Sequence, residues 1–289
     1  MAALDTLLQG ILLGALYALF AAGLSLAFGV MRLVNIAHGD LIVLSSFLSL
    51  SLTQATGLHP LASLAVVIPA MAALGYLLQR GLLDRVLSGD PLPPLLVTFG
   101  VSVVIQNGLL EIYSADTRRL AAGRLASASL RLPGGLAVGW LPLLILACAV
   151  AVLLLLHVVI FSTSLGRAFR AASDDPEVVQ AMGVSRGHVN GLALAISMAV
   201  VALSGVLLGI STTFDPSIGP SRLLFAFEAV IIGGMGSLWG TLAGGMILGV
   251  AQAAGFRASP GYGILVGHAV FLLVLVARPQ GLFPRTRDA

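Results

Sequence analysis

TLLQGILLGALYALFAAGLSLAFGVM, residues 6–31, contains no Asp, Glu, Lys or Arg. A bilayer core about 30 Å thick needs about 20 consecutive apolar residues in helical form, so this run is long enough to cross. Its apolar residues are continuous and do not alternate, which selects a helix over an outer-membrane strand. Gly10 and Gly14 stand one turn apart and offer a small face for a second helix. The pattern recurs along the chain. Residues 41–79 again lack all four charged types, and Gly57-Leu58-His59-Pro60 divides them into two crossings joined by a tight turn. Further apolar runs cover 95–113, 140–161, 191–210 and 262–277, and Trp140 opens its run at an interfacial position.

Composition agrees with this. The chain is 58% hydrophobic and only 9% charged, against about 25% charged in a soluble domain. The expected fold is an all-α integral membrane protein, a polytopic helical bundle of about nine transmembrane spans, or about eight if the short run 223–232 does not cross. Residues 1–289 read as a single transmembrane domain. No Lys or Arg precedes the first apolar run, so a secretory signal peptide is not expected. The lone Cys148 excludes an internal disulfide framework. A net charge of +3 is no nucleic-acid signal. The expected non-protein partner is membrane lipid, with no nucleic acid.

Three polar passages interrupt the apolar pattern. The first is FGVMRLVNIAHGD, residues 28–40. Asn35, His38, Gly39 and Asp40 form its densest cluster. One reading is a cytoplasmic turn, with Asp40 capping the next helix. The other pairs this break with the glycine-rich break at 233–240. Transporters built from two related halves place substrate near such interruptions, where helix ends offer free backbone groups. On that reading Asn35, His38, Gly39, Asp40, Gly233 and Gly234 flank a translocation path. Glu228 joins them as an ionisable residue inside a membrane segment. Its structural alternative is an interfacial acid near Arg222. Gln106 and Asn107 read as amides that join helices. His157 and His268 read as packing histidines, with no metal-ligand companions, so no metal site is expected.

The second passage is GGMGSLWGTLAGG, residues 233–245, where Gly236, Gly240 and Gly244 recur at four-residue spacing as a packing face. The third is STSLGRAFRAASDDPEVVQAMGVSRGHVN, residues 162–190. Asp175, Pro176 and Glu177 form a helix start, Gly183 ends that helix, and Ser185 caps the next. Val178, Val179 and Met182 give the short helix one apolar edge. Arg167 and Arg170 suit an anionic inner membrane surface, and Asp174, Asp175 and Glu177 suit the positive helix start. We read it as a short helix lying along the membrane that completes its core on another protein.

Arg167, Arg170 and Arg186 place that passage in the cytoplasm, and the Arg-bearing tail belongs there too. Nine crossings then put the N-terminus outside. The same arrangement leaves Arg118, Arg119, Arg124 and Arg131 of the 114–139 connection outside, against the usual charge bias.

GVMRLVNIAHGD, TSLGRAFRAASDDPEVVQAMGV and FEAVIIGGMGSLWGTLAGGMILG, in that order, resemble one family. It is the LivH-type membrane permease subunit of branched-chain amino acid ABC importers, and the resemblance covers nearly the whole chain. It implies a bacterial inner-membrane protein that is not an enzyme and binds no cofactor itself. The implied partners are a second related permease, two cytoplasmic ABC ATPase subunits and a periplasmic or lipid-anchored substrate-binding protein. Residues 163–190 become the cytoplasmic ATPase-coupling loop. The chain has no GxxxxGK[ST] phosphate loop, consistent with ATP hydrolysis elsewhere. The implied substrates are Leu, Ile and Val. The alternatives are urea or short amides, which permeases of the same family also carry, or an ATP-independent secondary transporter. The last expects several intramembrane carboxylates, and few are present.

The coupling reading predicts that Val179→Asp leaves the chain in the membrane but uncouples ATP hydrolysis from transport. Substrate-stimulated ATPase activity of the reconstituted complex measures this, and unchanged stimulation would refute it.

Overall fold

The protein is described by a computed structural model covering residues 2–87, 90, 92–131, 137–175, 180, 183 and 185–283. Its helices are α1 (Ala2–Met31), α2 (His38–Thr56), α3 (Pro60–Gly81), α4 (Leu92–Tyr113), α5 (Arg124–Ser127), α6 (Trp140–Ser162), α7 (Ser164–Asp174), α8 (Arg186–Ser211), α9 (Gly219–Gly233), α10 (Leu238–Ala258) and α11 (Tyr262–Ala277). Two short antiparallel strands, β1 (Ser129–Arg131) and β2 (Ala137–Gly139), pair Leu130 with Val138 in the connection before α6. The chain is thus an all-α, multi-pass membrane protein. Among the described residues, 6 helices are long and apolar enough to cross a bilayer. They are Ala3–Met31, Pro60–Arg85, Leu92–Tyr113, Trp140–Ser162, Arg186–Ser211 and Leu238–Ala258. The expected count of nine is not established by length and hydropathy. α2 is rich in Ser and Thr, and α9 and α11 are short.

α1 and α8 form the centre and are almost wholly enclosed, whereas α3, α4 and α6 expose most of their apolar side chains. Leu77, Leu96, Val104, Leu155 and Val276 point outward, as lipid-facing residues do. Glycine decides how α1 meets α10. A methyl group on Gly14 would strike the Gly245 carbonyl, and one on Gly249 the Gly10 carbonyl. The backbones therefore touch directly, the close approach that gives membrane helices their packing energy. Gly240 and Gly244 face the other way, against Gly233 and Ala229 of α9. Gly236 lies in the turn before α10, with φ 80°.

Two connections do not behave as surface loops. α1 ends where Arg32 adopts a left-handed backbone at φ 53°. The chain then doubles back along α1 until His38 reaches the Phe20 carbonyl, far inside the helix. After α8, Phe214 bridges to Arg118. The chain then re-enters, so that Gly219 lies against Asp40. α2 and α9 therefore begin deep within the bundle.

Close backbone contact makes the α1–α10 seam intolerant of volume. Gly249→Leu should lower stability by about 1–3 kcal/mol. Gly108→Leu, with nothing within 4 Å of an added Cβ, should stay within about 0.5 kcal/mol of the parent. Thermal melting of the detergent-solubilised chain tests both.

Candidate functional site

The starts of α2 and α9 meet around one carboxylate. Asp40 is 1% exposed. Its Oδ2 accepts a hydrogen bond from Ser102 Oγ at 2.6 Å and its Oδ1 accepts one from Gln106 Nε2 at 2.9 Å. Ser102 lies half-way along α4 and Gln106 one turn further, so Asp40 sits near mid-depth. Gly219, the first residue of α9, is so close that a Cβ there would overlap Asp40 Oδ1. A Cβ on Gly39 would in turn overlap the Gly219 carbonyl. Glycine at both positions lets the two helix starts touch. Asp40 lies in the first turn of α2 and against that of α9, where partial positive charge favours a carboxylate.

The re-entrant backbone is satisfied locally. Asn35 Oδ1 accepts from the Ala37 N–H at 3.0 Å, and the Asn35 carbonyl accepts from the His38 N–H at 3.1 Å. The Ile36 N–H donates to Thr98 Oγ1 at 3.2 Å. His38 is fully enclosed, and its Nε2 donates to the Phe20 carbonyl at 2.8 Å. The cytoplasmic-turn reading of Asn35–Asp40 is thus corrected. Ala37 stands at the cap position of α2, and Asp40 binds α4 side chains instead. Gln106 does join helices. Asn107 is exposed and donates to the Val103 carbonyl of its own helix at 2.8 Å.

Gly233 and Gly234 do not join this junction. They close the far end of α9. Gly233 packs on the Gly240 backbone, and Gly234, at φ 103°, lies against Phe283. The Leu282 and Phe283 N–H groups donate to the Ile232 and Gly233 carbonyls at 2.9 and 3.1 Å. The break that meets Asn35–Asp40 is instead the segment before Gly219. No residue pattern announces it, because Gly219-Pro220 reads as an ordinary turn.

Glu228 is not an interfacial acid. It is 1% exposed, and its Oε1 lies 2.5 Å from His268 Nδ1 on α11. Tyr17 of α1 donates to Gln252 Oε1 of α10 at 2.6 Å and packs on Phe225 in a tilted pair with centroids 4.9 Å apart. Glu228, His268, Tyr17 and Gln252 thus line a second polar core between α1, α9, α10 and α11. Among the described residues, no group of three or more His, Cys, Asp or Glu is placed to hold a metal ion.

A family model described as "Branched-chain amino acid transport system / permease component" matches residues 6–276. The chain belongs to that family. It is a membrane component of a transport system and not an enzyme. The permease is 30% identical over 302 residues to the high-affinity branched-chain amino acid transport system permease protein BraD of Pseudomonas aeruginosa, covering 98% of this chain and 96% of that protein. It is 29% identical over 300 residues to LivH of Escherichia coli K12, with the same coverage. Among solved structures, PsaBC from Streptococcus pneumoniae in complex with Fab shares the fold. The TM-score is 0.51 at 14% identity, covering 95% of this chain and 92% of that one.

α7 is capped by Thr163, whose Oγ1 accepts from the Gly166 N–H at 3.1 Å. Ser173 Oγ ties α7 to the Gly29 carbonyl at 2.9 Å. Arg167, Asp174 and Asp175 are exposed. Arg170 turns back onto the Ile160 carbonyl and lies 5.5 Å over the Phe161 ring. Pro176, Glu177, Val178, Val179 and Met182 lie outside the described residues. Gly183 follows at φ 84°, and Ser185 Oγ accepts from the His188 N–H at the start of α8.

Removing either donor from Asp40 leaves a buried carboxylate short of a partner. Ser102→Ala and Gln106→Leu should each destabilise the fold by about 1–3 kcal/mol. Thermal melting of the purified chain tests this, and two unshifted transitions would show that the junction does not depend on Asp40.

Proposed function

We propose that this chain is one of two membrane permease subunits of an ATP-driven importer of branched-chain amino acids in the bacterial inner membrane. The observation that carries the reading is the mid-depth meeting of two helix starts around Asp40, in a member of this family. Interrupted helices expose polar backbone ends where a solute crossing the bilayer needs them. Relatives matched over nearly their whole length carry names that assign them to branched-chain amino acid transport. A second related permease completes the pore, two cytoplasmic ATPases power it, and a binding protein delivers substrate. Asn35, His38, Gly39 and Asp40 flank the path, and residues 163–190 couple to an ATPase.

The chain crosses nine times, by the six long helices together with α2, α9 and α11. α2 and α9 each complete a crossing with the re-entrant segment before them. The start of α1 faces outward and residues 278–283 lie on the cytoplasmic side. Arg257 donates to Thr6 Oγ1, and Gln9 donates to the Ala137 carbonyl, so these ends share one face. The other face carries Arg32, Arg80, Arg85, Arg167, Arg170 and Arg186, as a cytoplasmic face does. The arginines of the 114–139 connection oppose this bias for a local reason. Arg119 donates to the Ile210 and Ser211 carbonyls at the end of α8, where a cation suits the helix dipole. Arg118 pairs with Asp116 at 3.3 Å.

The test is affinity purification of the tagged chain from its own membranes, followed by uptake in proteoliposomes. The expected outcome is co-purification of a second permease and a P-loop ATPase, with leucine uptake that requires ATP and the binding protein. Uptake of urea or acetamide in place of leucine would overturn the substrate. Uptake by the chain alone without ATP would overturn the importer.

A further inference from the structure

α9 carries a cation and an acid six residues apart, about 120° apart around the helix axis, that do not bond to each other. Arg222 lies one turn into the helix and Glu228 two turns in. With a rise of 1.5 Å per residue their backbones are about 9 Å apart along the axis. Phe225 lies between them. Among the described residues Arg222 makes no hydrogen bond or salt bridge from its side chain, and its buried Nε has no acceptor. Its guanidinium lies 5.9 Å over the Phe225 ring. Asp215 and the Tyr17 hydroxyl are the groups whose charge Arg222 feels, and neither hydrogen-bonds to it. Asp215 Oδ1 accepts from the Ser217 N–H and Oγ, and Glu228 Oε1 is held by His268. Glu228 Oε2 is nevertheless buried without a partner, and so is Gln252 Nε2 facing the same core from α10. Tyr17 is the titratable group that α1 contributes, and its hydroxyl is spent on Gln252.

Intramembrane charges normally pair with one another or with a substrate. Here a cation with no hydrogen-bonded partner and a half-matched anion flank an aromatic ring. We propose that Arg222, Phe225 and Glu228 form a binding site for an α-amino acid zwitterion, resting on the transport reading above. The guanidinium receives the α-carboxylate and Glu228 Oε2 the α-ammonium. Phe225, backed by Tyr17, faces the aliphatic side chain. A zwitterion satisfies both orphaned charges at once. A neutral amide or urea satisfies neither. The pair therefore selects amino acids as a class, and the apolar surroundings leave Leu, Ile and Val poorly distinguished from one another. The site is closed in this state, with Tyr17 and His268 against the Phe225 ring.

The test uses the complete importer in proteoliposomes with its binding protein. Leucine uptake should fall at least about tenfold in Arg222→Gln and in Glu228→Gln, because each leaves one pole of the substrate unmatched. Arg222→Lys and Glu228→Asp, which keep the charges, should each recover most of that loss. Gln variants that transport like the parent would overturn the proposal. So would Lys and Asp variants that fall as far as the Gln ones, since packing alone would then explain the loss. A second measurement leaves the pair intact. In a Cys148→Ser background, Ser221→Cys places a thiol at an exposed position beside Arg222. Leucine should slow its labelling by a small membrane-permeant maleimide, whereas leucinamide and 4-methylpentanoate should not. Equal labelling with and without leucine, or equal protection by all three, would overturn the site. Absence of leucine uptake by the parent complex would instead overturn the transport reading on which the site rests.

Discussion

Backbone that is not helical cannot face lipid, because hydrocarbon offers its N–H and C=O groups nothing. The structure depends on how this constraint is met at two places. Residues 32–37 and 212–218 carry irregular backbone toward mid-depth, the first of them held against α1 and α4. Asn35 and Thr98 supply side-chain acceptors for the first segment. The Arg118–Phe214 bridge and the Ser217 N–H donated to Asp215 Oδ1 serve the second. With those needs met, α2 and α9 can begin inside the bundle and leave two helix ends there.

Ends that meet this closely need glycine and a negative charge. Gly39 and Gly219 remove the side chains that would hold the helices apart, and Asp40 occupies the positive field of both starts. The same logic holds at the α1–α10 seam, where glycines bring backbones into contact without polar groups. The two seams differ in what they permit. The apolar seam has no reason to open. The charged junction is held by hydrogen bonds from Ser102 and Gln106 to Asp40. The polar core of Glu228, His268, Tyr17 and Gln252 extends this character toward α11.

The first break was legible because Asn, His, Gly and Asp crowd into a few residues between apolar runs. Its depth was not legible, since a polar cluster between two spans reads equally well as a surface turn. The reversal at Arg32 decides this, and nothing in the side chain of Arg32 announces a left-handed backbone. Ser102 was invisible because serine is ordinary in membrane helices, and only Asp40 gives it a role. The interfacial alternative for Glu228 fails for a related reason. Depth along α9 counts from a start inside the bundle, whereas the sequence suggests counting from a surface turn near Pro216 and Pro220. The second break shows the same limit. Glycine density pointed to 233–240, which proved to be a packing seam and a turn closed by residues 278–283.

By itself the sequence determined the class and most of the helices, because lipid imposes a long apolar run on each full crossing. It also carried the family, through three polar passages in a fixed order. The tertiary structure alone decided which polar residues meet. Asp40 and Gln106 are separated by a whole helix hairpin, as are Glu228 and His268. Their pairing depends on two re-entrant segments whose path is set by contacts with other helices and not by any local preference of the chain.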